Sequence, residues 1–164
     1  MRFGPALILS IAALAGCSTA TTQTTTAVEN PAASVAATRG SMSDAFGAML
    51  NRERGQKNLP ALAVSGTLAK VAQGHANDMS TFSYFSHTSR DGRKLGDRAR
   101  AQGYGYCFVA ENIAQGQRSE PEVLAAWMNS PGHRRNNLST KATEFGLARA
   151  ANNYWVLVLG NPGC

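Results

Sequence analysis

A run of apolar residues at helical spacing is the feature that most constrains the fold of this chain. The run follows Ser65, a residue type that caps helix N-termini. Its members recur at three- and four-residue steps and are Leu68, Val71, Ala72, His75, Met79 and Phe82. This spacing predicts an amphipathic helix, and its apolar face must be covered by another layer of structure.

Three further helices are predicted from capping residues, spacing and stop signals. They are expected over about residues 41–59, 94–102 and 119–130. The last of them opens with Ser119–Glu122, where a capping serine, an early proline and acidic residues mark a helix N-terminus. Gly103 and Pro131 are expected to stop the second and third of these helices.

Strands are predicted mainly in the last third of the chain. The candidates are Cys107–Ala114, Glu144–Ala150 and Tyr154–Leu159, and Asn152-Asn153 indicates a hairpin turn between the last two. Helices first and strands later favour an α+β domain in which helices cover a sheet. The length of 164 residues, 43% of them hydrophobic, suits one such domain, and no apolar run reaches the roughly 20 residues of a membrane span.

The N-terminus has the features of an export signal. Arg2 precedes the apolar run Phe3–Ala15, and Leu14–Cys17 resembles a bacterial lipobox. We predict a lipoprotein signal peptide over residues 1–16 and a diacylated Cys17 that anchors the protein in a membrane. An ordinary signal peptide with a chance cysteine is the alternative. Ser18, where an aspartate would suggest retention at the inner membrane, favours the outer membrane or its periplasmic face.

Residues 17–40 are predicted to be the lipidated cysteine and a disordered tether, and residues 41–164 the folded domain. Seven threonines fall between Ser18 and Gly40, and bulky apolar residues are nearly absent there. The charge of +6 falls to +5 without Arg2, since 15 basic residues then face 10 acidic ones. This moderate charge favours anionic neighbours such as phospholipid head groups, and it indicates no nucleic-acid partner.

The remaining cysteines, Cys107 and Cys164, form an even pair in an oxidising compartment once Cys17 carries lipid. We predict a disulfide between them, which would tie the C-terminus to the first predicted strand. Two buried free thiols are the alternative. A catalytic thiol is less favoured, because nothing around Cys107 in the sequence would lower its pKa.

Three segments contain the polar residues that are candidates for a functional site. They are Phe85–Thr88, Ala110–Ala114 and Trp127–Arg134, and they are followed by Glu144–Gly146 and Tyr154-Trp155. Together these motifs resemble the CAP superfamily of cysteine-rich secretory, antigen five and pathogenesis-related proteins, and most of all its bacterial SCP-like branch. The resemblance extends from about Met49 to Gly160. It implies an α-β-α sandwich with a central, mostly antiparallel sheet flanked by helices.

The resemblance also implies a cavity lined by two histidines and usually two glutamates. The histidines fall on His87 and His133, and the first glutamate falls on Glu111. The second glutamate position is taken by Ser130, which departs from the full family pattern. His75 lies on the apolar stripe of its helix and is predicted to be a buried, hydrogen-bonded structural residue.

Two imidazoles and a carboxylate suit two kinds of chemistry. His87, Glu111 and His133 could form a three-ligand set for zinc or another divalent cation. Alternatively, the carboxylate could orient one imidazole as a general base. Ser86 and Ser130 do not lie in a recognised nucleophile turn. The resemblance implies metal binding in some members and no agreed enzymatic reaction.

Each of these side chains also has a structural alternative: His87 could bond a loop, Glu111 could accept from backbone donors, and His133 could cap its helix.

The favoured function is an anchored binding module that holds a divalent metal and, nearby, a lipid, sterol or glycan-like ligand. A metal-dependent hydrolase of peptides or cell wall, with His87, Glu111 and His133 as its catalytic residues, is the first alternative. A structural envelope protein with a vestigial cavity is the second, and an enzyme is not favoured.

Overall fold

The computed structural model describes residues 42–163, together with Met1 and Gly4. The predicted signal peptide, Cys17 and tether lie outside the described residues, apart from those two. The chain divides into two units, Met1–Ala37 and Thr38–Cys164, and the fold described below belongs to the second. Within residues 42–163, no helix has both the length and the hydropathy needed to cross a bilayer.

Helices precede and separate the strands in residues 42–163, which confirms the α+β prediction. In chain order the elements are α1 Met42–Gly55, β1 Ala63–Val64, α2 Gly66–Phe82, α3 Leu95–Ala101, β2 Tyr106–Gln115, α4 Glu120–Asn129, α5 Pro131–Asn137, β3 Glu144–Ala150 and β4 Tyr154–Pro162.

The strands form one sheet in the order β1-β3-β4-β2. The strand β1 runs parallel to β3, and the other pairs are antiparallel, as the predicted mostly antiparallel sheet requires. The β3–β4 hairpin turns at Asn152 and Asn153, whose φ angles of 56° and 57° lie in the left-handed region that asparagine tolerates. The two-residue strand β1 was not predicted, because two residues are too few to show an alternating pattern.

Helix α2 begins and packs as its sequence predicts, except at its last residue. The Ser65 hydroxyl accepts a hydrogen bond from the Leu68 backbone N–H at 3.4 Å. The predicted face is buried from Leu68 to Met79, but Phe82 is 52% exposed. The prediction for Phe82 was wrong: Phe82 is the last residue of α2, and Ser83, whose φ of 52° lies in the left-handed region, ends the helix there.

The sheet is covered on both faces, which confirms the α-β-α sandwich. Alternate residues of β4 enter two separate cores, since successive side chains of a strand face opposite sides. Trp155 and Leu157 pack with the α1 and α4 side chains, whereas Tyr154 and Val156 pack with α2. This double burial explains why the whole of β4 up to Gly160 is inaccessible to solvent.

Helix α2 lies directly on the backbone of β3 at Gly146. A Cβ atom on Gly146 would lie 2.0 Å from the backbone nitrogen of Ala69 and 2.2 Å from the carbonyl carbon of Leu68. Neither backbone atom can move aside as a flexible side chain would. The absence of a side chain at this position therefore sets the separation between the helix and the sheet.

We predict that Gly146→Ala lowers the free energy of unfolding by at least about 2 kcal/mol, because the methyl group forces the two backbones apart. Gly74→Ala is the matched control, since a Cβ there meets no atom within 4 Å and alanine favours the helix by about 1 kcal/mol. Urea denaturation measures both variants. Equal stability of the two would contradict this account of the helix–sheet contact.

Candidate functional site

A buried carboxylate forms the centre of the candidate site. Glu111 lies on the edge strand β2, and its side chain is only 3% exposed. Its Oε1 lies 2.9 Å from Nδ1 of His87, and its Oε2 accepts a hydrogen bond from Nη2 of Arg98 at 2.7 Å. Both oxygens therefore have a partner, and one of these partners carries a full positive charge.

The imidazole of His87 is exposed to solvent on one side and contacts Glu111 through Nδ1 on the other. The residue lies in the loop between α2 and α3, and its side chain is 58% exposed. Because Nδ1 faces the carboxylate, Nδ1 carries the proton of the neutral ring and Nε2 keeps its lone pair. No described residue bonds to Nε2, so this nitrogen is available to a ligand or a proton.

Arg98 fixes both the carboxylate and the loop that carries His87. It lies on α3 and is 6% exposed. Its Nη1 donates to the carbonyl oxygens of His87 and Arg93, each at 3.1 Å, and to Oγ of Ser89 at 3.0 Å. Sequence reasoning missed this role, since a single arginine on a short helix has the same appearance as a solvated surface residue.

His133 enters the site from α5 and is half-buried. Burial lowers the pKa of His133, and the neighbouring His87 lowers it further. His87 and Glu111 are in direct contact, and His133 is tied through its backbone carbonyl to Asn112, the residue after Glu111. Because its pKa is lowered, the His133 imidazole is neutral at pH 7.

A network of amide side chains holds His133 against β2. Asn112 donates from Nδ2 to the His133 carbonyl at 3.1 Å and to Oδ1 of Asn137 at 2.8 Å. Asn136 donates from Nδ2 to Oδ1 of Asn112 at 2.8 Å and to the Glu111 carbonyl at 3.2 Å. Asn112 and Asn137 are fully buried, so these amides position the helix rather than contact solvent.

An open groove of about 390 Å³ passes the exposed face of His87. Its walls are His87, Thr88, Lys94, Leu95, Val109, Ala110, Glu111 and Asn136. Ser130 lies at the junction of α4 and α5, and its predicted place in the cavity stays a prediction. There its backbone N–H donates to the Trp127 carbonyl at 3.2 Å, and its own carbonyl accepts from the Arg134 N–H at 2.8 Å.

The described part of the chain contains no group of three or more His, Cys, Asp or Glu side chains arranged to hold a metal ion. Both oxygens of Glu111 are already bonded, one to His87 and one to Arg98. The carboxylate therefore lies on the buried, Nδ1 side of the His87 ring, and Nε2 lies on the other side. Metal binding by His87, Glu111 and His133 stays a prediction.

His75 has the structural surroundings that its position on the apolar stripe predicted. It is fully buried, and its Nε2 lies 2.8 Å from the Ser86 carbonyl while Nδ1 lies 3.5 Å from Oγ of Ser89. Burial lowers the pKa of His75, and Arg98 lowers it further, against the opposing charge of Glu111. A neutral ring that donates from Nε2 satisfies both contacts.

Cys107 lies on β2, and its predicted partner Cys164 lies outside the described residues. The end of β4 runs beside it: Tyr106 is paired with Pro162, and the Gly163 N–H donates to the Gly105 carbonyl at 3.2 Å. The disulfide stays a prediction.

The fold and the three motif segments agree with a known family. The model of the cysteine-rich secretory protein family, CAP, matches residues 48–159 of this chain. The chain belongs to the CAP family. This confirms the resemblance identified from the motifs, and the match covers both core layers of the domain.

Among curated proteins, the Bacillus subtilis (strain 168) protein YkwD is 38% identical over 99 residues, which are 60% of this chain and 38% of YkwD. Among solved structures, an extracellular Bacillus anthracis protein that contains an SCP domain is 33% identical, with a TM-score of 0.69, over 72% of this chain and 39% of that one. An outer surface protein of Borrelia burgdorferi shares the fold at 23% identity and a TM-score of 0.69, over 74% of this chain and 93% of that one. The chain spans about two fifths of the length of the two Bacillus proteins.

We predict that Arg98→Met costs about 3–5 kcal/mol of unfolding free energy, because it leaves the Glu111 carboxylate buried without its cation. The double variant Arg98→Met/Glu111→Gln should lose much less than the sum of the single losses. Urea denaturation of all four proteins measures the coupling. Arg100→Met, which breaks an exposed pair with Asp97 at 3.6 Å, is the control and should change little. Additive losses at Arg98 and Glu111 would show that the pair is not coupled.

Proposed function

We propose that this CAP protein is an extracytoplasmic, membrane-anchored binding module whose His87 and His133 hold a divalent cation such as zinc. The observation that carries the proposal is the hydrogen-bonding distance of 2.9 Å between the buried Glu111 carboxylate and Nδ1 of the exposed His87. A histidine that ligates a metal ion commonly gives its other ring N–H to a carboxylate in this way.

The two imidazoles have the properties of cation ligands. The partner on Nδ1 directs the lone pair of His87 Nε2 outward, and the lowered pKa of His133 keeps its ring neutral at pH 7. Neutral imidazole nitrogen is a preferred ligand of zinc. In this proposal Glu111 orients His87 rather than serving as the third ligand, and water would complete the coordination.

The groove beside His87 supports a second, amphipathic ligand. Leu95, Val109 and Ala110 contribute apolar surface to its lining, and Lys94 contributes a positive charge. A lipid, sterol or glycan-like molecule with an apolar surface and a polar or anionic group matches this pattern. We propose that such a ligand is held next to the cation.

A hydrolase is the second candidate, because the same contact between Glu111 and His87 could orient the imidazole as a general base. Among the described side chains, no serine, threonine or cysteine is bonded to His87. The hydroxyl of Ser86 accepts from the Thr88 N–H at 3.1 Å instead of contacting the ring. A hydrolase would therefore have to use water as its nucleophile, and the binding function is favoured.

We predict that the full chain, purified in detergent, binds zinc in a calorimetric titration and that His87→Gln and His133→Gln each weaken binding at least about tenfold. Thr88→Ala is the matched control, since it changes the same groove without removing an imidazole. Heat that is equal in all four proteins would reject the site. Turnover of peptide, ester or muropeptide substrates that disappears in both histidine variants would favour the hydrolase.

Membrane anchoring through Cys17 rests on the lipobox-like sequence and agrees with the Bacillus anthracis relative, which is an extracellular protein. We predict that the chain produced in bacteria carries a diacylglyceryl mass on Cys17 and has lost residues 1–16. Cys17→Ser should lack this mass and leave the membrane fraction. A wild-type chain with unmodified Cys17 would refute the anchor and leave the zinc site untouched.

A further inference from the structure

The outer edge of β2 presents backbone hydrogen-bonding groups beside His87. The strand lies at one end of the sheet order β1-β3-β4-β2, and its pairing with β4 is regular over residues 108–115. In a regular antiparallel pair, every second residue directs both its N–H and its C=O away from the neighbouring strand. Just after β2, the Gly116 N–H donates to the Asn153 carbonyl, next to β4, at 3.0 Å. The even-numbered residues of β2 therefore face β4.

The odd-numbered residues of β2 direct their backbone groups outward, and two hydrogen bonds agree with this assignment. The Ile113 carbonyl accepts from Nε1 of Trp127, and the Glu111 carbonyl accepts from Nδ2 of Asn136, each at 3.2 Å. Side chains of α4 and α5 thus cover these two carbonyl groups. The N–H and C=O of Val109 and the N–H of Glu111 point outward by the same alternation, and no described residue bonds to them.

This uncovered stretch of the edge borders the groove beside His87. Val109, Ala110 and Glu111 line the groove together with residues of the His87 loop and of α3. Its two donors and one acceptor are spread over the distance from Val109 to Glu111, which is about 7 Å in a strand. Unpaired groups at a sheet edge form a template for another extended chain, because a second strand has its own N–H and C=O groups at the same spacing.

The side chains of the groove indicate which sequence such a chain would carry. Lys94 is exposed, and its ammonium group forms no ion pair with a described residue. The nearby carboxylate of Asp97 accepts from the Lys94 backbone N–H and pairs with Arg100 instead. Leu95 and Val109 add apolar surface to the lining. An acidic side chain flanked by apolar ones is complementary to this combination.

We propose that the edge of β2 binds an extended peptide segment of another protein, which adds to the sheet as a further strand and directs an acidic side chain toward Lys94. The N–H groups of Val109 and Glu111 donate to peptide carbonyl oxygens, and the Val109 carbonyl accepts from a peptide N–H. This inference goes beyond the proposed function, because it uses the backbone of β2 and needs no cation. The peptide would compete with the amphipathic ligand, since both would occupy one groove.

The test is a titration of the full chain in detergent with a blocked pentapeptide that alternates valine and glutamate. NMR follows the hydrogen exchange of individual amides. We expect exchange at Val109 and Glu111 to slow at least about tenfold at saturation, because their N–H groups gain acceptors. The Ala110 amide is the internal control: it already faces β4, so its exchange should be slow before the peptide is added and should stay so.

A second peptide isolates the backbone contribution. It has the same side chains but carries methyl groups on its two central amide nitrogens, so these nitrogens cannot donate hydrogen bonds. We expect it to bind at least about tenfold more weakly than the unmethylated peptide, because a bond to the Val109 carbonyl is lost and the methyl group is too large for strand pairing.

Variants of the chain test the same contacts from the protein side. Val109→Pro removes the outward N–H and no bond to β4, a position at which an edge strand tolerates proline, and it should weaken binding at least about tenfold. Val109→Ala keeps the N–H and is the matched control. Lys94→Gln should weaken binding of the glutamate peptide about three- to tenfold, but not of a glutamine version. Lys141→Gln, an exposed lysine outside the groove, should bind as the wild type does.

Three results would overturn the proposal. Exchange at Val109 and Glu111 that is as slow in the free protein as at Ala110 would mean that the chain itself covers the edge. Equal binding of the methylated and unmethylated peptides would mean that only side chains are recognised, as for a lipid or glycan. Exchange that the peptide leaves unchanged would mean that no strand is added. The last two measurements use the wild-type chain, so they decide the matter even if Val109→Pro does not fold.

The peptide titration is run in the presence of EDTA, and the zinc titration is run without peptide. A chain that binds the peptide but no zinc would reject the proposed cation site and leave the strand addition intact. A chain that binds zinc but no peptide would do the reverse. The two proposals therefore fail separately.

Discussion

The buried ion pair between Arg98 and Glu111 is the contact on which the candidate site depends. Removing both groups from water is costly, and such pairs add little net stability compared with apolar residues of the same size. The pair instead fixes the position of the His87 loop relative to strand β2. The guanidinium binds the carboxylate with one nitrogen and the carbonyl groups of His87 and Arg93 with another, so the loop and the strand cannot move independently.

The site also requires that β2 lie at the edge of the sheet. Neighbouring residues of a strand face opposite sides, so Glu111 reaches Arg98 on α3 while Asn112 reaches His133 and α5. His87 is thus held through Glu111 and His133 through Asn112, two neighbouring residues of this edge strand. The tight contact at Gly146 fixes α2 against the sheet, and the loop after α2 carries His87.

The elements with a long, regular pattern were predictable, and the contacts between them were not. Helix α2 and the β3–β4 hairpin follow from periodicity and from two asparagines, because local spacing determines their buried faces. Motif likeness selected His87, Glu111 and His133 as candidates, and the structure shows the first two in contact. Motif likeness assigned no role to Arg98, whose importance comes from four bonds to residues brought together by the fold rather than from any local pattern. Nor could it show that the backbone of Ser130 links α4 to α5 through bonds to Trp127 and Arg134.

The ion pair, the buried amides and the imidazoles of the site differ in charge, and each has a different role. The charged pair, Arg98 and Glu111, cancels its own field and fixes the loop. The buried amides of Asn112 and Asn137 position His133 without adding a negative charge that would raise its pKa, so the lowering by burial persists. Among the described residues, none bonds to Nε2 of His87 or to the ring of His133. These free nitrogens are what the proposed cation site requires, whereas a hydroxyl nucleophile placed against His87 would have occupied the nitrogen that the proposed cation needs.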